Sequence, residues 1–240
     1  MTTIAPPRTP APPPPPPRRR FSVRRVIGAV LILGGLAVLG YGAWQYWGTN
    51  VVSKQHHAAE KRIIADDWGK GRDGKAIGLL RVPRFGKGYE VPIVRGFSDK
   101  ALAEGVGWYT KGAKPGQIGN FAIAGHRVTH GEPFRDFLKL RKGDKVVIET
   151  RLYTYVYKLR NNGTDITIPF TEGWPLQPVP NPRLRGEPPT EPLLTMLTCS
   201  ELFHTDNRNI VIGKLVKITE KADPNAKIEP WPAKKAWLGY

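Results

Sequence analysis

Leu193-Leu194-Thr195-Met196-Leu197-Thr198-Cys199 is the run on which the reading of this chain turns. Seven residues are too few for an independent helix. Their apolar and β-branched side chains suit a pleated, largely buried surface, so the run predicts a core strand. It closes on the only cysteine in the sequence. A second run of the same kind, Phe121-Ala122-Ile123-Ala124-Gly125, closes on His126. Two strands therefore end on chemically capable side chains.

Working outward, short β runs are predicted at 77–82, 89–94, 120–125, 145–150, 153–159, 193–199 and 209–218, separated by Gly, Pro, Asn and Asp. Seven such strands make the chain mostly β and suggest an antiparallel barrel or sandwich. Ser98 is a predicted N-cap for a short helix over 98–105. Residues 51–68 read as a helix from the spacing of Ala58, Ala59, Ile63 and Ile64, ended by Gly69, Gly71 and Gly74. The proline-rich stretch 169–192, just before the cysteine strand, reads as a long functional loop.

The N-terminal part differs in kind. Nine of the 24 prolines lie between Pro6 and Pro17, which predicts polyproline II or disorder. The adopted reading is a cytoplasmic tail, with an SH3-like partner as the functional alternative. Arg18, Arg19, Arg20, Arg24 and Arg25 follow, and residues 26–44 carry no charge. At about 1.5 Å per residue those 19 residues span roughly 28 Å, the thickness of a bilayer's hydrocarbon. Tyr41, Trp44, Tyr46 and Trp47 at the far end suit an interfacial belt. Arginines on one side predict a cytoplasmic N-terminus and an exported remainder. A cleaved signal peptide would have a shorter apolar core and a small-residue exit, so a retained anchor is preferred. The expected organisation is a basic proline-rich tail (1–25), a transmembrane helix (26–47), a helical linker (48–75), a β-barrel (76–219) and a C-terminal tail (220–240).

The 240 residues carry 37 Lys plus Arg against 20 Asp plus Glu, a formal charge of +17. Six arginines and no acid lie in residues 1–50, so a net charge of +11 remains beyond the span. That suits anionic wall polymers or lipid head groups; the topology and the lack of a nucleic-acid motif argue against nucleic acid. At 40% hydrophobic residues the chain is not wholly disordered, and one cysteine excludes a disulfide scaffold or a zinc ribbon.

A lone exported thiol is buried and inert, paired with another chain, or reactive. At an ordinary pKa of about 8.5, little is thiolate at neutral pH, so a nucleophilic Cys199 needs a base or a cation nearby. Of the histidines, His56 and His57 lie in the membrane-proximal helix and read as solvated, and His204 reads as a loop residue. His126 shares the strand-end position of Cys199. His126 and His130 are four apart, but no glutamate follows His126 and flanking glycines oppose a helix, so no metal site is assigned. Arg208 stands nine residues after Cys199, at the start of the next strand. Its guanidinium cannot act as a base, but it can hold an oxyanion or a substrate carbonyl.

Together these residues resemble the sortases, membrane-anchored cysteine transpeptidases of Gram-positive surfaces. Thr195-Met196-Leu197-Thr198-Cys199 fills the family's Thr-Leu-x-Thr-Cys motif, with Met196 where leucine is usual. Arg208 fills the arginine and His126, in Ala122-Ile123-Ala124-Gly125-His126-Arg127, the histidine. Pro115-Gly116 through Arg127 and Gly131-Glu132-Pro133-Phe134 look most like class E, typical of actinobacteria. The resemblance, covering about 76–218, implies an eight-stranded β-barrel and a two-step reaction without a cofactor or metal. Cys199 would attack the Thr–Gly bond of a C-terminal sorting signal, of a Leu-Ala-x-Thr-Gly type, giving a thioacyl enzyme. His126 would protonate the leaving amine and deprotonate the incoming one. Arg208 would stabilise the oxyanion, with Thr198 helping to build that site. The implied partners are sorting-signal peptides and the amine of a lipid-linked peptidoglycan precursor at the membrane.

Rival classes read less well. An L,D-transpeptidase cysteine follows a Ser-His-Gly run, and a papain-like protease has its cysteine before its histidine. A pilus-polymerising sortase would take a pilin lysine as acceptor. A tethered wall-binding module would leave Cys199 as packing.

Overall fold

Alternate residues of the apolar runs face one core, and that two-residue period closes the sheet. Phe121 and Ile123, Val146 and Ile148, Leu194 and Met196 are all fully buried in a single cluster with Leu80, Ile93, Tyr157 and Val211. The computed structural model describes residues 23–200 and 206–221. It divides into two units, Met1–Gly42 and Ala43–Tyr240.

The apolar helix α1 (Val23–Ala43) has 21 residues, none of them buried. It is long and apolar enough to cross a membrane. It starts three residues before the uncharged run and so includes Arg24 and Arg25. A π-helical turn, Trp44–Gly48, comes next in the chain, and then α2 (Thr49–Gly69). The proline tract, His204 and the last residues after Lys221 lie outside the described residues.

Among the described residues nine strands follow: β1 (Ala76–Arg81), β2 (Val91–Arg95), β3 (Val106–Trp108), β4 (Gly119–Ala124), β5 (Lys145–Glu149), β6 (Tyr153–Leu159), β7 (Thr167–Pro169), β8 (Pro192–Cys199) and β9 (Asn207–Glu220). Their order is β6-β5-β1-β2-β3-β4-β8-β9, and β9 pairs back with β6. Eight strands thus close a barrel, with β7 added on β9. The seven expected strands are all present. β3 and β7 are additional: three residues each, one with a central glycine and one ending in proline, they carry no periodic signal.

The sheet is mixed rather than antiparallel. β2–β3 and β4–β8 are parallel pairs. Parallel neighbours need a crossover. The short helix α3 (Asp99–Glu104), capped by the Ser98 hydroxyl accepting from the Ala101 amide, lies in the first; β5, β6 and β7 occupy the second.

α2 packs on the barrel through a face that includes only Ile64 of the four apolar residues that marked it as a helix. Asn50, Ser53, His57, Glu60, Ile64 and Trp68 are its buried residues. Their spacing of three and four is helical, but four of the six are polar, so an apolar pattern search picks the wrong stripe. Ile64 and Trp68 join Ala76, Leu79, Val94 and Ala101 in a second small core. His57 is 8% exposed, which corrects its reading as solvated; His56 is exposed.

Candidate active site

Strand register brings the chemical residues to one rim. Parallel pairing matches Ala124 of β4 with Leu197 of β8, so His126 and Cys199 each lie two residues past a matched pair. Antiparallel pairing sets Cys199 opposite Arg208 and Thr198 opposite Asn209. Residues 73 and 82 positions apart in sequence come to one rim because three adjacent strands end or begin there.

Backbone and hydroxyl contacts hold the rim. The Gly125 amide donates to Leu197 O at 3.2 Å. The Thr198 hydroxyl donates to Gly125 O at 2.9 Å and is buried. Thr198 therefore ties the cysteine strand to the residue before His126. Beyond it the Phe134 amide donates to His126 O at 2.9 Å, closing a loop over 126–134. A Cβ on Gly125 would lie 2.9 Å from the Phe134 ring, so the loop crosses this point too closely for a side chain.

His126 is half-buried, and its Nε2 is buried without a hydrogen-bond partner among the described residues. His130 stacks on it, with ring centroids 4.5 Å apart and planes inclined by 26°. Burial lowers the His126 pKa to about 4; His130 and Arg208 push the same way and Asp99 of α3 opposes them. Burial also lowers the pKa of His130. His126 is therefore a neutral imidazole at neutral pH, able to take a proton at a ring nitrogen.

Cys199 is partly exposed and is a free thiol. Arg208 donates to Asn207 O at 2.9 Å and its guanidinium lies 5.8 Å from the centre of the Phe170 ring. Phe170, 60% exposed, is the first residue after β7 and belongs to the long loop. The loop's middle lies elsewhere. Asn120 Nδ2 donates to Pro175 O at 2.7 Å and Gln177 O at 2.9 Å, pinning the loop at the start of β4. A cavity of about 440 Å³ lined by Trp174, Pro178, Leu184, Leu193 and Ile212 sits there, at the far end of β8 from Cys199. Only the loop's beginning borders the rim.

Sequence reasoning singled out Cys199, His126, Arg208 and Thr198, and the strands place all four at this rim. It missed His130 as the ring against His126, Asp99 as the nearby carboxylate, and Phe170. His130 and Asp99 stand at no strand end, the signal that marked the others, and Phe170 follows a three-residue strand that carries no periodic signal.

Comparison with known proteins agrees with this geometry. The sortase domain model matches residues 80–216. Sortase SrtE2 of Streptomyces coelicolor is 33% identical over 218 residues, which cover 82% of this chain and 83% of that protein. The structure of sortase E from Streptomyces avermitilis is 31% identical with a TM-score of 0.54, covering 63% of this chain and 97% of that one. Sortase E1 from Streptomyces coelicolor, solved with a tripeptide in the active site, is 36% identical with a TM-score of 0.51, covering 61% of this chain and 91% of that one. Matched from β1 into β9, through every strand that builds the rim, the chain belongs to the sortase family of cysteine transpeptidases and is class E-like.

Proposed function

We propose that the chain is a membrane-anchored transpeptidase that cleaves the Thr–Gly bond of a Leu-Ala-x-Thr-Gly type of sorting signal and passes the acyl group to a wall-precursor amine. The observation carrying this reading is the register that sets Cys199 beside Arg208 on one side and the His126 strand end on the other. A relative solved with a tripeptide in its active site supports a peptide as occupant.

The roles follow from chemistry. Neutral His126 takes the Cys199 proton as Sγ attacks the threonine carbonyl carbon. The carbonyl oxygen gathers negative charge, and the Arg208 guanidinium donates to it. Collapse breaks the C–N bond, His126 returns the proton to the leaving glycine amine, and a thioester remains on Cys199. The incoming amine gives a proton to His126 as it attacks that thioester, and the expelled thiolate recovers it. No proton is left over. Thr198 acts by fixing the rim, its hydroxyl being engaged with Gly125.

α1 is proposed as a retained span with the N-terminus cytoplasmic and the barrel outside. Substrate protein and lipid-linked precursor share that membrane, which raises their effective concentrations at the site.

The test uses the full chain in detergent with a Leu-Ala-x-Thr-Gly peptide and a glycine-based amine, followed by mass spectrometry. Cleavage at Thr–Gly, amine transfer and an acyl adduct on Cys199 are expected. No adduct and no cleavage across several sorting signals would sink the proposal.

A further inference from the structure

We propose that Asn50, the second residue of α2, is a positioning residue for the acid–base side of the site. Its carboxamide locks the turn 128–132 and so holds His130 against His126. The inference rests on the reading of His126 given above.

The turn is strained. His130, Gly131 and Glu132 are consecutive residues at φ of 54°, 82° and 53°. Only glycine adopts that region freely; for the other two it is uncommon and costs energy, so it persists only where neighbours fix it. Few groups within the turn do so: the Glu132 amide reaches Thr129 O at 3.1 Å, and His130 Nδ1 lies 3.0 Å from Thr129 Oγ1.

The rest comes from α2, some 80 residues earlier in the chain. Asn50 Nδ2 donates to Val128 O at 3.1 Å and to Glu132 Oε1 at 2.6 Å. Asn50 Oδ1 accepts from the Gly131 amide at 2.8 Å. One side chain, 8% exposed, thus engages three residues of the turn. The His57 ring backs the same point: a Cβ on Gly131 would lie 2.7 Å from His57 Cε1. Glu132 is held from its other oxygen by Arg135 at 2.9 Å. A short polar side chain with one acceptor and two donors is what this constellation needs; aspartate lacks the donors.

The consequence reaches the imidazole. His130 covers one face of His126, and burial is the main reason His126 stays neutral. Among the described residues, the groups that act on His126 are His130 on its own loop, Asp99 from α3 and Arg208 from β9. Changing Asn50 leaves Asp99 and Arg208 in place. Releasing the turn removes both the cover that His130 gives the ring and its charge effect, and both losses raise the His126 pKa.

The test compares wild type, Asn50→Ala, Asn50→Asp and the double variant Asn50→Asp/Glu132→Gln, as full chains in nanodiscs. Three quantities are read: peptide cleavage kinetics, the NMR titration of the His126 ring, and hydrogen exchange at the Gly131 amide. Asn50→Ala is expected to lower kcat at least tenfold with KM changed less than threefold. It should raise the His126 midpoint toward the ordinary value and speed Gly131 exchange. Asn50→Asp sets two carboxylates together and should behave likewise. Adding Glu132→Gln restores a donor–acceptor pair with the roles exchanged and should recover most of the rate. A lower kcat with an unmoved His126 titration would overturn the proposal, since the loss would then be one of general folding. Unchanged kinetics would also overturn it. If the wild-type chain cleaves no sorting signal, the functional reading fails, and exchange at Gly131 with the His126 titration still decides whether the clamp exists.

Discussion

β4 and β8 run side by side through matched pairs from Gly119–Pro192 to Ala124–Leu197, and the two ends of this ribbon treat polar side chains in opposite ways. At its start Asn120 and Thr195 are buried and closed. The Thr195 hydroxyl donates to Asn120 Oδ1 at 2.7 Å, and the Asn120 amide is used on the long loop. At its finish His126 keeps a buried Nε2 without a partner among the described residues, beside a free thiol. A fully satisfied buried network rigidifies; an unsatisfied one is costly unless something else uses it. The same pair of strands therefore carries scaffold at one end and the proposed chemistry at the other.

The largest test of that contrast is Cys199→Ala. It removes the proposed nucleophile and should abolish cleavage and adduct formation, while thermal unfolding stays within about a degree because the side chain is partly exposed. Preserved transfer would mean that the rim is not the reactive end. Arg208→Ala comes next. Loss of an oxyanion donor costs on the order of 10²–10³ in kcat. Arg208→Lys keeps the charge but not the fork, so it should recover only part of the rate, as single-turnover kinetics would show.

Thr195→Val works the other end. It leaves Asn120 Oδ1 buried without its hydroxyl donor, at a cost of about 1–3 kcal/mol. That lowers Tm by several degrees, while turnover per folded molecule changes little. A Thr195→Val chain with normal Tm and lost activity would reverse the assignment of the two ends.

The smallest effect is on pH. Burial lowers the pKa of both His126 and His57 from 6.5 to about 4. The unfolded chain therefore binds these protons first as pH falls. Stability is full above 6.5 and is lost progressively as pH falls from 6.5 toward 4. His57→Gln should flatten part of that slope in Tm measured against pH. An identical slope would mean that His57 titrates normally.

Much of this was readable from sequence because strand alternation and strand ends are local signals. Cys199 and His126 stood out as the residues on which apolar runs stop, and Arg208 as the residue where the next begins. The parallel pairing of β4 with β8 was not readable, since it depends on where three intervening strands go. Nor was the buried face of α2. Asn50 and His57 are buried against a turn far away in sequence, and polar partnerships of that kind leave no periodic trace. The proline-rich loop was recognised, but its middle is pinned at the scaffold end rather than over the thiol.

Barrel closure has a further consequence, for self-association. Among the described residues β7 alone pairs with a single neighbour, β9. An unpaired strand edge is a template on which a second chain can add, and crowding at a membrane surface would favour that addition. Here the edge is three residues long and ends in Pro169, which has no amide to offer. Residues 215–220 of β9 differ: they run past the end of β8 and pair with β6 alone, so any added strand would be expected there rather than on β7.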